Sequence, residues 1–408
     1  MSTDYDILIV GGGMVGASLA IALGNLPLRV ALIEAVEFES NTQPSYDDRT
    51  IALSYGSKRI FDTLGIWSRV ETGGATAIQH IHISDRGRFG FSRLAAADAG
   101  VEAMGWVVEN RALGQALKPF LTATSNLTFL CPATMQDIEF SEDAASVTIR
   151  RGDKTEILRA RLVVAADGGA SAVRERAGIV ATRTAYHQTA LVTNITPEQP
   201  HRNVAYERFT DSGPLALLPM SANRCAVVWS LPPESVEAML ALDDAAFLTL
   251  LQERFGTRLG RFLKVGKRAA YPLAYTKVAE HIRPRLVLIG NAAHTVHPVA
   301  GQGFNLGLRD VAALAEVMSQ ALSDGKDIGA LDVLQQYVDW RRRDVFAIST
   351  FTNSLVRIFS NDFAPLGLAR NLGLVAVDLF PPAKRALLRL SMGLGGRLPR
   401  LARGLPLQ

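Results

Sequence analysis

Residues 6–10 (DILIV) form a short apolar, β-branched run that stops at three glycines, and residues 14–23 continue with the small and apolar side chains of a buried helix. A second apolar run, 29–33 (RVALI), stops at Glu34. The order strand, tight turn, helix, strand is that of a βαβ unit of about thirty residues. Two more strands of this kind are predicted at 162–166 (LVVAA) and 286–289 (LVLI), each ending in a turn signal, Asp167-Gly168 and Gly290-Asn291. Pieces of one parallel sheet are thus scattered across the first 300 residues. Alternating polarity at 146–150 and 225–230 predicts antiparallel strands of inserted sheets. From Asn305 the pattern turns helical, over 305–322 and then from 330 to about 360, where Arg341, Arg342 and Arg343 read as a solvated helix face. No fixed-period repeat and no linker rich in Pro, Gly and Ser separates these segments, so interleaved domains are expected.

Composition narrows the class. With 48% hydrophobic and 20% charged residues over 408 positions, disorder and low complexity are ruled out. Cys131 and Cys225 lie far apart in no Cys/His cluster, which supports neither a disulfide framework nor structural zinc and suits a reducing, cytoplasmic setting. The N-terminus, MSTDYD, carries acid where a secretory signal carries Lys or Arg. No window approaches the roughly 18 uninterrupted apolar residues of a spanning helix. A mean hydropathy of +0.14 still leaves room for peripheral contact with the inner face of a membrane. A net charge of +4 is too small to argue for nucleic acid.

The glycines Gly11, Gly12, Gly13 and Gly16, with Met14 and Val15 between them, satisfy GxGxxG in the context that gives this pattern meaning: a strand before, a helix after, and acidic Glu34 at the next strand end. The glycines permit the tight turn and let backbone N–H groups approach a pyrophosphate at the positive end of the helix. Glu34 would accept hydrogen bonds from an adenosine ribose, which disfavours a 2′-phosphate. The bound nucleotide is then FAD or NAD, against the plainer reading of a glycine-rich turn in an unrelated α/β protein.

Two later stretches bear on that choice. Residues 163–174 (VVAADGGASAVR) have the form strand, Asp-Gly, then a helix beginning near Ser171; residues 290–310 (GNAAHTVHPVAGQGFNLGLRD) place glycines 301 and 303 at the opening of a helix near Asn305. Together the three motifs resemble those of the class A flavin-dependent aromatic hydroxylases, the group that includes p-hydroxybenzoate hydroxylase. The 297–310 stretch matches the HPxxGQGxNxGxxD signature of the ubiquinone-biosynthesis branch, and the likeness extends to DDRTIAL at 47–53, ENRALGQAL at 109–117 and ERFTDSGPLALLPM at 207–220.

The resemblance implies an α/β fold in which a Rossmann-type FAD-binding domain (1–75, 100–182 and 280–330) is interleaved with a mixed-sheet, substrate-facing domain (76–99 and 183–279), followed by C-terminal helices (331–408). Carried over by position, it implies that Gly11, Gly12, Gly13, Met14, Val15, Gly16 and Glu34 hold the ADP part of FAD. Arg111 would reach the ribityl or phosphate region, with Asp167 by the pyrophosphate and Asn291 by the ribityl chain. Gly301, Gly303, Phe304 and Asn305 would sit at the flavin pyrimidine edge, Arg49 would line the flavin or the NAD(P)H entry face, and the rigid backbone of Pro298 would lie beside flavin and substrate. Leu215, Leu217, Pro219 and Trp229 would form the substrate-facing wall, against the plainer reading of simple sheet core. Most of the group has GDAAH where this chain has Asn291; an amide still accepts from a ribityl hydroxyl, so it preserves binding while removing one negative charge. His294 and His297 lack a third ligand nearby and read as packing residues rather than a metal pair.

The implied activity is NAD(P)H- and O2-dependent hydroxylation of the ring of a polyprenyl phenol, 2-polyprenyl-6-methoxyphenol going to the 1,4-benzoquinol on the path to ubiquinone. Such chemistry needs no protein nucleophile, which fits the absence of a Ser/His/Asp constellation; the protein supplies position, a dry pocket and electrostatics. Rival readings are hydroxylation of another ring position, a flavin reductase of the same fold, and a non-catalytic flavin-binding assembly subunit. Residues 379–408 carry Lys384, Arg385, Arg389, Arg397, Arg400 and Arg403 among leucines and no acid after Leu379. That segment is expected either to contact a membrane surface or a biosynthetic complex or to be a helix packed on the same protein with its arginines in solvent, and its glycines and prolines suggest a mobile end.

Overall fold

The computed structural model describes residues 3–37, 49–359 and 364–408, so Met1, Ser2, Ser360 and the Asp47-Asp48 opening of DDRTIAL lie outside the described residues. Strand β1 (Tyr5–Val10) and strand β2 (Val30–Ile33) pair in parallel, Val10 opposite Ile33. The helix between them, α1 (Met14–Ala22), is buried on nearly every face because it lies against the sheet and under the helix Gln302–Ser323. On the other side of β1 runs the long strand Lys154–Ala165, in register with Ala165 opposite Val10, and beyond it Leu286–Leu288. Leu127–Leu130 closes the far side of β2. Four strands distant in sequence therefore end level, at Val10, Ile33, Ala165 and Leu288. Their side chains are buried on both faces, which is why each reads as a continuous apolar run.

The strand predicted at 146–150 belongs to this same sheet rather than to an inserted one. Ala145–Arg151 pairs antiparallel with the amino-terminal half of Lys154–Ala165, on the side where the carboxyl half takes Leu286–Leu288. A twelve-residue strand is long enough to serve both partners.

A second sheet of nine strands carries the 225–230 prediction as Arg224–Leu231. Its neighbours run, in order, Arg224–Leu231, Gly213–Met220, Val204–Thr210, His80–Asp85 and Phe91–Ala95. One face packs on the helices Pro233–Ala241 and Asp244–Phe255 through Leu191, Leu215, Leu217, Val227, Trp229, Phe247 and Phe255. The other face looks inward. A three-stranded sheet, with β3 (Thr50–Ser54) at one edge, joins the two bodies.

Two expectations about the carboxyl-terminal half change. Arg341 is not solvated: it is 5% exposed on the helix Leu331–Phe359, with Nε donating to Asp310 Oδ1 at 2.7 Å, while Arg342 and Arg343 remain exposed. Nor is 379–408 a free tail. On the helix Pro381–Ser391 and at its end, Leu388 and Met392 are buried beneath the inward sheet face, and Leu401 and Ala402 enter the core around α1. The Arg400 amide donates to Glu316, Trp340 Nε1 donates to the Arg397 carbonyl at 2.8 Å, and the Arg397 guanidinium lies 4.0 Å over the Trp340 ring.

Candidate active site

The four level strand ends open onto one cavity of about 1310 Å³. At its first wall the glycines divide into two kinds. Gly11 (φ +105°) and Gly16 cannot carry a side chain, because a Cβ would lie 2.5 Å from the Ala166 carbonyl oxygen and 1.9 Å from the Gly11 carbonyl oxygen. They bring turn, helix and strand together. Gly13 has ordinary extended geometry (φ −64°) and lines the cavity beside Met14 and Val15. Gly12 and Gly16 stand behind that lining. The Gly12 N–H donates to Glu34 Oε2 at 2.7 Å and the Val36 N–H to Oε1 at 2.8 Å, which fixes the carboxylate at the strand end and leaves lone pairs for ribose hydroxyls.

At the next strand end Asp167 lines the cavity. Its Oδ2 accepts from the Val173 N–H at 3.1 Å, while Oδ1 is buried without a hydrogen-bond partner in the protein; burial pushes this carboxyl above the ordinary carboxylate range. At the third, Gly290 (φ +57°) and Gly307 accommodate Val15, whose methyls would lie 3.2 and 3.0 Å from a Cβ at either position. Asn291 lies on the cavity wall.

The helix Gln302–Ser323 opens at Gly301 (φ +61°), and a Cβ at Gly303 would meet no atom within 4 Å. Its positive end is thus bare toward the cavity, suited to electron-rich or anionic atoms. Phe304 and Asn305 line the same wall. The Asn305 side chain, however, is wholly engaged within the protein: Oδ1 accepts from the Ser54 N–H and Ser57 Oγ, and Nδ2 donates to the Ala52 and Gly301 carbonyls, all within 2.8 Å. It pins β3 to the helix start and leaves only its backbone for a cofactor.

Behind this helix lies a buried charge network. Asp310 accepts from the Gly290 N–H, meets His294 Nε2 at 2.8 Å and takes Arg341; burial opposes its charge, but His294 and Arg341 hold it well below the usual range. His297 lies 3.0 Å from Gln188 Oε1 and packs edge-on against Tyr186, and burial lowers its pKa to about 4. Both histidines thus have structural partners.

Arg49 lines the cavity immediately before β3, its guanidinium 4.8 Å over the Tyr271 ring. The Pro298 carbonyl, expected beside the reacting groups, accepts the Gly301 N–H at 2.8 Å, while the residue itself lines the cavity. Arg111 is exposed at the start of the helix Asn110–Ala123 and is not among the lining residues; its neighbour Asn110 is.

The second half of the cavity lies between the inward sheet face and the C-terminal helices. Here the expected wall is one residue out of phase. Leu215, Leu217 and Trp229 point to the opposite face and are buried against the helices Pro233–Ala241 and Asp244–Phe255, with Pro219 on the same alternation. Ala216, Leu218 and Val228 line the cavity instead. Side chains alternate across a strand, so a shift of one residue exchanges faces. The remaining walls are Ile81, Ile83, Leu94, Phe209, Phe351, Leu374 and Val377. Ser92 and Glu207 are among the polar groups in this half that escaped the sequence reading. The available signal for Glu207 was a charge on the inward phase of Val204–Thr210, between Ala205 and Phe209.

These groups fit a flavin dinucleotide: a carboxylate acceptor held at the second strand end, an orphan acceptor at Asp167, and a bare helix start with room at Gly303. A family model described as "FAD binding domain" matches residues 4–352. The chain is 42% identical over 405 residues, 98% of its length and 93% of the relative's, to the ubiquinone hydroxylase UbiL of Rhodospirillum rubrum. It is 33% identical to the 3-demethoxyubiquinol 3-hydroxylase of Escherichia coli, covering 95% of this chain and 98% of that one. Among solved structures, p-nitrophenol 4-monooxygenase PnpA from Pseudomonas putida superposes with a TM-score of 0.80 at 20% identity, over 97% of this chain and all of that one, which speaks to the fold. With three strand-end motifs converging on one dinucleotide cavity and relatives matching along nearly the whole length, the chain belongs to the FAD-binding domain family as a flavin-dependent monooxygenase, with FAD as cofactor and NAD(P)H as co-substrate.

Proposed function

We propose that the chain hydroxylates the ring of a polyprenyl phenol in ubiquinone biosynthesis, converting 2-polyprenyl-6-methoxyphenol to the 1,4-benzoquinol. The observation that carries this reading is the chamber beyond the flavin-side wall. It is walled by Ile81, Ile83, Leu94, Leu218, Leu374 and Val377, aliphatic surface of the kind that recognises an isoprenoid-bearing ring. The names of the relatives support the pathway, and the E. coli relative supports a second reading, hydroxylation at another ring position. Bound FAD, reduced by NAD(P)H, supplies activated oxygen; the protein's part is to seat the ring, exclude water and position charge. Deleting the gene in its source organism and identifying the accumulated quinone precursor by mass spectrometry tests the assignment. Accumulation of the 6-methoxyphenol supports the first reading, a later demethoxy intermediate supports the second, and an unchanged quinone profile contradicts both.

Peripheral membrane contact belongs to the same reading, through a different surface from a free tail. The helix Ala364–Leu379 sends Leu374 and Val377 into the chamber and leaves Leu372, Leu379 and the following Phe380 54%, 75% and 59% exposed. Exposed Arg385 and Arg389 follow on the helix Pro381–Ser391. A helix with one face on the chamber and an apolar edge outside would admit a lipid-dissolved phenol from an anionic surface. Among the described residues no helix is long and apolar enough to cross a membrane.

A further inference from the structure

We propose that Glu207 receives the ring hydroxyl of the substrate, accepting its hydrogen bond and then its proton as the ring is oxygenated. The inference rests on the ring-hydroxylase reading above and deepens it.

Strand register sets the position. Ser92 pairs with Ile83, Ile83 with Glu207, Glu207 with Ala216, and Ala216 with Val228. All five line the cavity, so they form one rung across the inward sheet face with Glu207 at its middle. Next to it along the strand are Ala205 and Phe209. The rung is otherwise apolar except at its end, where Ser92 is fully buried and its Oγ has no partner in the protein.

The charges facing Glu207 are few. On the neighbouring strand Asp85 is held by Arg370 Nη2 at 2.8 Å and Asn371 Nδ2 at 3.0 Å, with Arg88 Nε at 3.8 Å, so that pair satisfies itself. The helices above contribute Phe351, Leu355, Leu374, Val377, Leu387 and Ser391, with Arg370 already paired. Glu34, Arg49 and Asp167 line the cavity's other wall, at the strand ends. Among the described residues no ion pair or hydrogen bond compensates the Glu207 carboxyl, and burial alone pushes its pKa up to about 7. A carboxylate placed without a protein donor in an apolar chamber is unfavourable to folding and is offset when a ligand hydroxyl meets it.

The chemistry balances without another reactant. A ring carbon would form its new bond to the transferred oxygen with a ring π pair as the O–O bond behind that oxygen breaks, the bond's electron pair leaving with the second oxygen, which ends as water. The phenol O–H bond breaks, its electron pair returns to the ring, and the proton goes to a Glu207 carboxylate oxygen; the attacked ring carbon then gives up its hydrogen as a proton and the carbonyl oxygen takes one back, which restores the aromatic ring. The oxidant is the oxygen that the monooxygenase activity already provides.

The test uses the FAD-loaded full chain with two probes, 2-methoxy-6-prenylphenol and its O-methyl ether, measuring binding, hydroxylation rate and the pH profile of kcat/KM. Wild type is expected to bind the phenol about tenfold tighter than the ether. Glu207→Leu loses that preference. Glu207→Gln keeps it, because an amide oxygen still accepts, but is about a hundredfold slower and lacks the rise of kcat/KM with pH through about 7. FAD content reports the fold, and the isosteric Gln variant decides the matter if the Leu variant does not fold. A wild-type rate and pH profile in Glu207→Gln overturns the proposal while leaving the ring-hydroxylase reading standing. Failure of wild type to bind the phenol at all overturns both.

Discussion

Gly16 of the first motif and Gly303 of the third read alike in sequence and differ in what a side chain would meet. At Gly303 a Cβ finds open cavity, and at Gly16 it finds the Gly11 carbonyl at 1.9 Å. Gly303→Val should therefore fold and melt like wild type yet lose flavin, whereas Gly16→Val should fail to fold; flavin absorbance and circular dichroism on both separate the two. His297 sets a second expectation at this scale. Burial lowers its folded pKa from 6.5 to about 4, so between those values the unfolded chain binds the extra proton. Stability should fall as pH drops from about 6.5 toward 4, and His297→Gln should show a shallower fall in urea midpoints over that range. Residue identity at the strand ends was legible because turns demand glycine and acid there. The engagement of Asn305 by Ser54 and Ser57, some 250 positions away in sequence, was not, since nothing local marks a long-range hydrogen bond.

At the scale of elements, the parallel strands were readable because strands buried on both faces are uniformly apolar. That property also hid the facing of Gly213–Met220, whose apolar residues offer no alternation to tell inward from outward. Arg341 misled for a related reason: three consecutive arginines suggest solvent, but the helix turns only the first toward Asp310. The network at Asp310 ties the helices Gln302–Ser323 and Leu331–Phe359 to the Gly290 turn. Asp310→Asn leaves Arg341 buried without its full counter-charge and should cost about 3 to 5 kcal/mol, read as a lower urea midpoint. Flavin retention should weaken with it, because Gly290 belongs to the cavity wall.

In the whole molecule, residues 388–408 close the fold, Leu388 and Met392 beneath the inward sheet face and Leu401 and Ala402 in the core around α1. Truncation after Pro382 is accordingly expected to unfold the protein or strip its flavin, rather than merely detach it from a surface. Membrane contact is better probed by Leu379→Ser with Phe380→Ser, which should lower co-sedimentation with anionic vesicles at low salt and leave the melting temperature unchanged; equal sedimentation would remove that surface from the account. The central claim is that one cavity joins a flavin wall to a phenol-binding chamber, and isotope incorporation tests it most directly. Purified FAD-loaded protein, given NAD(P)H, ¹⁸O2 and a short-chain 2-methoxy-6-prenylphenol, is expected to return a ring-hydroxylated product carrying one ¹⁸O. Oxidation of NAD(P)H with the phenol recovered unlabelled and unchanged would contradict it.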